Sequence, residues 1–318
     1  MTNPDTIHGV LLSETFDLKT FYQLDLSGRC DDVRLLNPDE VSDPAAIRFA
    51  VCWQPGEQAF APYPELEMAM SIGAGVDDLV THDGLPPAVE ICRVRDPYQA
   101  ELMAGFVAHE VLRIERDFEE YAQAQVRAQW NPLPMRPPEQ VKIAILGNGF
   151  MGRAIARAMI VLGFSVTLAC RSEPDKQIDG AGYCWGEDAM LNAASDAAFL
   201  VNALPLTDQT RGVLNAELFA KLSAGATLIQ IGRGEHLNEE DLVEALDKQQ
   251  LSGASLDVFA TEPLPEDHPF WSDNRIHITP HIASDTTPHI VSEQVVQSAR
   301  ELLAGKDLSL AIDREQGY

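Results

Sequence analysis

Three short stretches in the second half of the chain carry side chains that could bind a carboxylate and deliver a proton. They place Arg233 between two glycines, Glu262 before a proline and His281 after a proline. A guanidinium can bind a carboxylate through two parallel hydrogen bonds, and an imidazolium can give a proton to a carbonyl oxygen. A carboxylate beside the imidazole favours the charged form of the ring. Together, the three residue types fit the reduction of a 2-keto acid.

A glycine-rich turn upstream of these residues has the spacing of a dinucleotide-binding site. Gly147, Gly149 and Gly152 follow an apolar run at 141–146 and precede a helical pattern at 153–161. In such a turn the first glycine permits the sharp bend, the second lets the backbone approach a pyrophosphate, and the third allows the helix to pack closely on the strand. The phosphates would lie at the helix N-terminus. The alternative is a turn that needs glycine for its geometry alone.

The residues after the next predicted strand bear on the choice between NAD(H) and NADP(H). An NAD site usually has an acidic residue at this point, whereas a 2′-phosphate requires a nearby cation. The strand ends at Cys170 and is followed by Arg171 and Ser172. We therefore predict that NADP(H) is preferred and that NAD(H) is possible. An arginine that is simply solvated on a loop is the alternative interpretation.

The elements that must position these residues follow an α/β pattern in two series. Short apolar runs in the first hundred residues predict one parallel sheet, and six strands from residue 141 onward predict a complete doubly wound sheet. Between them, a helical pattern runs from Tyr98 to about Ala128 and ends before a proline cluster. A last helical pattern at 288–303 follows the complete second sheet, so we expect it to return to the first domain.

This organisation predicts an α/β fold of two doubly wound parallel-sheet domains. A Rossmann dinucleotide-binding domain is expected to be inserted into a flavodoxin-like substrate domain, and a length of 318 residues suits two domains. The expected boundaries are 1–97 for the first part of the substrate domain, 98–284 for the NAD(P)-binding domain with its long helix and arm, and 285–318 for the returning C-terminal helix and tail.

The composition limits the possible partners and compartment. A formal net charge of −26 would repel nucleic acid, and arginine side chains must create a positive site for an anionic substrate. The sequence contains no apolar run long enough for a membrane span and no signal-peptide pattern, which predicts a cytoplasmic protein without a membrane partner. The five cysteines lack paired spacing, so we expect reduced thiols and no metal site.

Taken together, the motifs resemble the D-isomer-specific 2-hydroxyacid dehydrogenases, and most closely their bacterial A-type glyoxylate/hydroxypyruvate reductases. The resemblance spans nearly the whole chain and is weakest in the first sixty residues. The matching stretches are Ile72–Asp77, Gln129–Leu133, Gly147–Gly152, Leu204–Thr207, Gly232–Gly234, Leu256–Pro265, Thr279–Ala283 and Asp313–Tyr318.

The resemblance implies a role for each member of the trio. Arg233 would bind the substrate carboxylate and polarise the keto group, His281 would be the general acid, and Glu262 would orient His281 and stabilise its protonated form. Asp257 would contact the nicotinamide carboxamide. The resemblance also implies cofactor contacts from backbone groups near Leu204, Pro205, Thr210 and Ile231. With the glycine turn and the residues after the second strand, the other expected cofactor-binding positions are Gly147, Gly149, Phe150, Met151, Gly152, Arg171 and Ser172.

The resemblance also implies substrate contacts from the first domain and a homodimer. The backbone N–H groups of Ala74 and Gly75 would bind the substrate carboxylate, and Trp53 would line a small substrate pocket. A core aromatic residue after a buried strand is the alternative for Trp53. The family forms dimers through the long helix and the arm, which contains Trp130 in this chain.

One segment departs from the closest subfamily. An arginine commonly precedes the proline that follows Pro-His-Ile-Ala, whereas this chain has Thr287 before Pro288 and an acidic Asp285 nearby. The departure concerns the choice of keto acid and leaves the reaction class intact. We expect NADPH-dependent reduction of a small 2-keto acid to the D-2-hydroxy acid. The alternatives are an NADH-dependent dehydrogenase for a bulkier keto acid and a nucleotide-sensing scaffold.

Overall fold

A computed structural model describes residues 6–314. The end of the matching stretch at the C-terminus, residues 315–318, lies outside this range, as do the first five residues. The chain divides into two compact units. The first unit contains residues 6–99 and 285–314, and the second unit contains residues 100–284.

Twelve strands and nine α-helices make up the regular structure of residues 6–314. The strands are β1 Ile7–Ser13, β2 Val33–Leu36, β3 Ile47–Trp53, β4 Met68–Ser71, β5 Glu90–Arg93, β6 Lys142–Leu146, β7 Ser165–Cys170, β8 Ala181–Trp185, β9 Phe199–Asn202, β10 Ala226–Gln230, β11 Leu251–Leu256 and β12 Ile276–Ile278. The helices are α1 Leu18–Phe21, α2 Asp77–Val80, α3 Pro97–Glu115, α4 Phe118–Val126, α5 Phe150–Val161, α6 Ala189–Ala194, α7 Ala216–Phe219, α8 Glu239–Asp247 and α9 Pro288–Leu303.

The first unit is built on a five-stranded parallel sheet in the order β2-β1-β3-β4-β5. Alternate residues of a strand face opposite layers. Phe49 and Val51 pack in the cluster that includes Val295 of α9, whereas Ala50 and Cys52 pack on the other face. Helix α9 therefore belongs to the core of the first unit. This strand order is that of a flavodoxin-like sheet.

The second unit contains a seven-stranded parallel sheet in the order β12-β11-β10-β9-β6-β7-β8. Ile143 and Ile145 pack in the cluster that includes Ile155 of α5, and Ala144 and Leu146 pack in the opposite layer. The strand order reverses between β6 and β9, which is where doubly wound sheets place their ligands. The predicted α/β fold with two parallel sheets is confirmed.

Two predicted elements are wrong in detail. The sequence predicted six strands in the second sheet, but β8 adds a seventh at the edge, where its partly exposed residues lack the continuous apolar run of a buried strand. The predicted helix from Tyr98 to about Ala128 is two helices, α3 and α4. Asp117 adopts the left-handed conformation at φ 51° and ends the continuous helical path.

The helices of residues 6–314 include none with the length and apolar character needed to cross a bilayer. The longest, α3, carries charged residues along its length, among them Glu101, Glu110 and Arg113.

Candidate active site

The predicted proton donor and its orienting carboxylate lie in direct contact in the second unit. His281 follows β12 and Glu262 follows β11, so both lie beyond the carboxyl ends of neighbouring parallel strands. His281 Nδ1 lies 2.8 Å from Glu262 Oε2. The side chains are 36% and 26% exposed, respectively, so the pair remains accessible to a small molecule. Because Nδ1 is engaged by Glu262, Nε2 is the ring atom available to a substrate.

The environment of Glu262 keeps its carboxylate ionised. Burial opposes ionisation, but the hydrogen bond and the charge of His281, together with the N–H of Phe259 and the charge of Arg233, hold the pKa of this carboxyl below its ordinary value. Phe259 N donates to Glu262 Oε1 at 2.9 Å. Each carboxylate oxygen therefore has its own donor, and the side chain is fixed in the orientation that receives Nδ1–H.

A buried aspartate holds the loop that carries His281. Asp257 Oδ1 accepts from Thr279 Oγ1 at 2.7 Å and Ile282 N at 2.8 Å, and Oδ2 accepts from Ala283 N at 2.9 Å. The Asp257 carbonyl accepts from His281 N at 2.8 Å. His281 has a φ of 54°, which is uncommon for a residue other than glycine and is found where surrounding contacts enforce it. Asp257 provides those contacts.

Burial has an electrostatic consequence for this aspartate. It raises the pKa of the Asp257 carboxyl, and the hydrogen bonds from Thr279, Ile282 and Ala283 offset only part of that rise. Asp257 is 1% exposed, so its hydrogen bonds are shielded from competition with water.

The Gly-Arg-Gly loop lies after β10. At each of its glycines, a neighbouring atom leaves no room for a side chain. A Cβ at Gly234 would lie 1.9 Å from the Phe259 carbonyl carbon, and a Cβ at Gly232 would lie 2.7 Å from Asn202 Nδ2. Arg233 Nη1 donates to Gly232 O at 2.9 Å. A larger residue at position 232 or 234 would clash with these neighbours. Both glycines are therefore needed for the backbone path that carries Arg233.

Beneath this loop is a buried polar network that no sequence motif indicates. Asn202 ends β9 and Gln230 ends β10, and both are 0% exposed. Asn202 Nδ2 donates to Gln230 Oε1 at 2.8 Å, and Gln230 Nε2 donates to Arg233 O at 2.7 Å. The only sequence signal was a polar residue at the end of each of two apolar strands. Gln230 therefore fixes the backbone from which the Arg233 side chain extends.

His236 joins this network to a second loop. Its Nδ1 accepts from Arg233 N at 3.0 Å and lies 2.9 Å from Asn202 Nδ2, while Nε2 lies 3.2 Å from Pro205 O. Two N–H donors at Nδ1 require that atom to be unprotonated, so Nε2 carries the hydrogen and donates to Pro205 O. In the structure His236 is fully buried and connects the Arg233 loop to the turn at Leu204 and Pro205.

The glycine turn after β6 has the shape required for a dinucleotide. Gly147 has a φ of 106°, and a Cβ at Gly152 would lie 2.0 Å from Gly147 O. Gly149 is the N-cap residue of α5, no side chain caps the helix there, and a Cβ at Gly149 would meet open space. The free helix N-terminus and the open face at Gly149 fit a pyrophosphate group. Phe150 and Met151 form the first turn of α5.

The remaining predicted cofactor residues occupy loops at the carboxyl edge of the same sheet. Leu204 N donates to Asn202 Oδ1 at 3.3 Å, and Thr210 Oγ1 donates to Pro205 O at 2.7 Å. Ile231 is buried directly after β10. Arg171 and Ser172 are exposed in the turn after β7.

The substrate-side residues predicted from the sequence lie in the first unit, at the carboxyl edge of its sheet. Trp53 ends β3 and is half-buried. Ala74 and Gly75 lie in the loop after β4, residues 72–76, which we call the substrate loop. A Cβ at Gly73 would lie 3.2 Å from a ring carbon of Trp53, so the indole packs against this loop.

A family model matches residues 108–283 and describes the NAD-binding domain of D-isomer specific 2-hydroxyacid dehydrogenases. The chain belongs to this family.

Individual members of the family are similar over most of the chain. "Glyoxylate/hydroxypyruvate reductase A" of Yersinia enterocolitica is 39% identical over 275 residues, which is 85% of this chain and 87% of the relative. A D-isomer specific 2-hydroxyacid dehydrogenase from Xanthobacter autotrophicus, solved with NADPH and MES, has a TM-score of 0.89 at 33% identity and covers 98% of this chain and 100% of its own. An NADPH-dependent glyoxylate/hydroxypyruvate reductase from Sinorhizobium meliloti, solved with NADP and sulfate, has a TM-score of 0.89 at 29% identity, with coverages of 98% and 100%.

Membership in the 2-hydroxyacid dehydrogenase family bears on the role of Asp257. The resemblance to this family implies a contact between Asp257 and the nicotinamide carboxamide, and that contact stays a prediction. The structure adds a second role, since Asp257 holds the Thr279–Ala283 loop on which the proton donor lies.

Proposed function

We propose that this protein reduces a small 2-keto acid of the glyoxylate or hydroxypyruvate type to the D-2-hydroxy acid, with NADPH as the reductant. The observation that carries the proposal is the contact of 2.8 Å between His281 Nδ1 and Glu262 Oε2, which leaves Nε2 to act on a substrate. The names of the relatives from Yersinia enterocolitica and Sinorhizobium meliloti support the substrate class.

In this proposal the residues of the second unit perform the proton transfer. Bound NADPH supplies the hydride that the carbonyl carbon receives. Arg233 binds the substrate carboxylate through its guanidinium and so orients the keto group. His281 gives its Nε2 proton to the keto oxygen, which neutralises the charge that develops there. Glu262 holds the ring in place and stabilises the imidazolium before the transfer.

The preference for NADP(H) over NAD(H) rests on Arg171 and Ser172. Both are exposed in the turn after β7, where the second strand of a dinucleotide domain meets the adenosine ribose. A guanidinium and a hydroxyl at this position suit a 2′-phosphate. The cofactor-bound structures from Xanthobacter autotrophicus and Sinorhizobium meliloti support the same preference.

We also propose a cytoplasmic homodimer that does not bind nucleic acid. Large apolar side chains are exposed on α3, α4 and the segment after them, including Leu102 at 52%, Phe118 at 51% and Trp130 at 96%. A second copy of the chain would cover them.

All five cysteines are free thiols, which suits a reducing compartment. The net charge of −26 opposes nucleic acid.

The proposal is tested by steady-state kinetics with a panel of 2-keto acids. Purified protein is assayed with glyoxylate, hydroxypyruvate, pyruvate and phenylpyruvate, each with NADPH and with NADH. We expect the highest kcat/KM for glyoxylate or hydroxypyruvate with NADPH. A preference for phenylpyruvate with NADH would favour a dehydrogenase for bulkier keto acids. Cofactor binding without turnover of any keto acid would contradict an enzymatic function and favour a nucleotide-sensing scaffold.

A further inference from the structure

Two side chains hold the carbonyl groups of the substrate loop in the first unit. Ser71 Oγ donates to Gly75 O at 2.7 Å and accepts from Gly73 N at 3.2 Å. Arg93, the last residue of β5, donates from Nη1 to Ala74 O at 3.1 Å. Ser71 and Arg93 are partners in the register of β4 and β5, so both lie at the carboxyl edge of the sheet. The loop is therefore fixed from two neighbouring strand ends.

The contact from Arg93 determines where one particular N–H group points. A trans peptide directs its C=O and N–H groups in opposite directions, and the Ala74 carbonyl shares a peptide with the Gly75 N–H. By holding Ala74 O, Arg93 directs the Gly75 N–H away from itself. Within residues 6–314, the N–H groups of Ala74 and Gly75 have no hydrogen-bond acceptor. They are thus available to an anion, while the carbonyl groups of Ala74 and Gly75 are already engaged.

Arg93 is also an unusual cation for so acidic a chain. The sequence contains 49 acidic residues, yet Arg93 forms no ion pair with any acidic side chain of residues 6–314. It is half-buried, and its Nε is buried without a hydrogen-bond partner. Burial lowers the pKa of its guanidinium, and the neighbouring charge of Arg95 lowers it further. A cation in this environment is stabilised by an anion that lies nearby.

We propose that Arg93 is a positioning residue for the substrate carboxylate: it holds Ala74 O so that the Gly75 N–H faces the carboxylate, and it supplies positive charge beside the substrate loop. The inference rests on the proposed function, because it takes the substrate to be a 2-keto acid whose carboxylate binds this loop. The last residue of β5 thus has a role that no sequence motif indicates.

The test replaces Arg93 by methionine, which keeps an unbranched side chain and removes every donor. We expect Arg93→Met to raise the KM for glyoxylate about tenfold or more, as for the loss of a charged hydrogen-bond donor, with a smaller change in kcat. The dissociation constant of oxalate, a carboxylate probe that is not reduced, should rise by a similar factor in calorimetry with NADP⁺ present. The dissociation constant of NADPH should not change.

Two further variants test whether the rise in KM is specific to the Arg93 side chain. Arg95→Met is the matched control, because Arg95 is exposed and its hydrogen bonds to Gln294 come from the backbone only. It removes the same charge two residues away, and its KM should stay within about twofold of the wild type, since exposed charges interact weakly. Arg93→Lys keeps the charge and replaces the planar guanidinium by an ammonium group, and we expect a KM between those of wild type and Arg93→Met. If Arg93→Met does not fold, Arg93→Leu, which also removes the charge and every donor, replaces it with the same expected rise in KM.

Each outcome separates this inference from the proposed function. A wild-type protein that reduces glyoxylate, combined with an Arg93→Met variant of unchanged KM and oxalate affinity, would overturn the inference alone. An equal loss of oxalate and NADPH affinity would also overturn it, because a general structural role would then explain both. A wild-type protein that neither reduces a keto acid nor binds oxalate would instead contradict the proposed function itself.

Discussion

The carboxyl edges of the two sheets are built differently, although both sheets are parallel and both edges carry predicted site residues. In the second unit, buried polar residues end or directly follow three neighbouring strands: Asn202, Gln230 and Asp257. In the first unit, Ser71 and Arg93 hold the substrate loop through three side-chain hydrogen bonds. The second edge therefore has many more constraints on its loops.

The difference follows from what each edge must hold. His281 has a positive φ, and a residue in such a conformation costs about 1–3 kcal/mol unless its surroundings enforce it. No residue of the substrate loop has a positive φ. A proton donor must keep one ring atom within hydrogen-bond distance of the keto oxygen, whereas backbone N–H groups need only face a carboxylate. The contacts that support the positive φ of His281 thus lie where a single atom must be placed.

The largest effect is expected from removing the proton donor itself. His281→Ala should lower kcat by about 10²–10⁴-fold, because the keto oxygen would lose its general acid. The dissociation constant of NADPH should stay the same, which fluorescence titration of the cofactor would measure. His109→Ala, a histidine that is 68% exposed on α3, is the control and should keep wild-type kcat. An unimpaired His281→Ala variant would remove this residue from the reaction.

Two variants, one at the carboxyl edge of each sheet, test whether the two edges have different roles. Asp257→Asn places an amide nitrogen against an N–H donor of Ile282 or Ala283, at a cost of about 1–3 kcal/mol for the buried mismatch. We expect kcat to fall about tenfold to a hundredfold, because the loop beneath His281 would shift. Ser71→Ala should chiefly raise KM, since it loosens only the substrate loop. Urea unfolding and steady-state kinetics would measure both, and an equal loss of kcat in the two variants would contradict the comparison.

The parts of the fold that could be predicted are those with strong periodic patterns. The apolar runs of β6 and β10 and the glycine spacing before α5 indicated the second sheet directly. Helix α9 spans Pro288–Leu303, the range that its apolar pattern predicted. Strand β8 was missed because it lies at a sheet edge, where partial exposure removes the apolar run. The break at Asp117 was missed because one left-handed residue leaves the apolar pattern on either side intact.

The site residues that could be predicted are those that belong to short sequence motifs. Arg233, Glu262 and His281 were identified from short motifs, and their assigned roles stay predictions. The supporting residues were not identified, because their importance comes from contacts between distant strands. His236 is 34 residues from Asn202 in sequence, yet the two side chains are 2.9 Å apart. No local pattern marks such a pair, and Arg93 was missed for the same reason.

Cofactor preference provides a smaller and separable effect in the second unit. Arg171→Ala should lower the ratio of kcat/KM for NADPH to that for NADH by about tenfold, since it removes a cation proposed to contact the 2′-phosphate. The kcat/KM for NADH should change little, which serves as the internal control. Kinetics with both cofactors at saturating keto acid would measure the ratio. An unchanged ratio would mean that Arg171 is a solvated loop residue without a role in selection.

The smallest effect is expected at the opposite edge of the first sheet, where an arginine has an acidic partner. Arg300 Nε lies 2.7 Å from Asp32 Oδ2, just before β2, and the side chains are 54% and 36% exposed. The hydrogen bonds from Arg300, with a further one from Cys30, lower the pKa of the Asp32 carboxyl. Arg300→Met should reduce the free energy of unfolding by at most about 1 kcal/mol at pH 7, because exposed ion pairs are screened by water and salt.

The sign of the pH dependence follows from that lowered pKa. A carboxyl with a depressed pKa in the folded state contributes stability above its unfolded pKa, and this contribution is lost as the pH falls through the folded value. The difference in unfolding free energy between wild type and Arg300→Met should therefore stay constant from pH 7 to about pH 5 and shrink below about pH 4, near the ordinary pKa of an aspartate, as urea titrations extended to about pH 2 would measure. Because this pair lies at the amino edge of the sheet, kcat and KM should equal those of the wild type. A change in KM as large as that expected for Arg93→Met would mean that arginine contacts in the first unit affect catalysis regardless of the edge on which they lie.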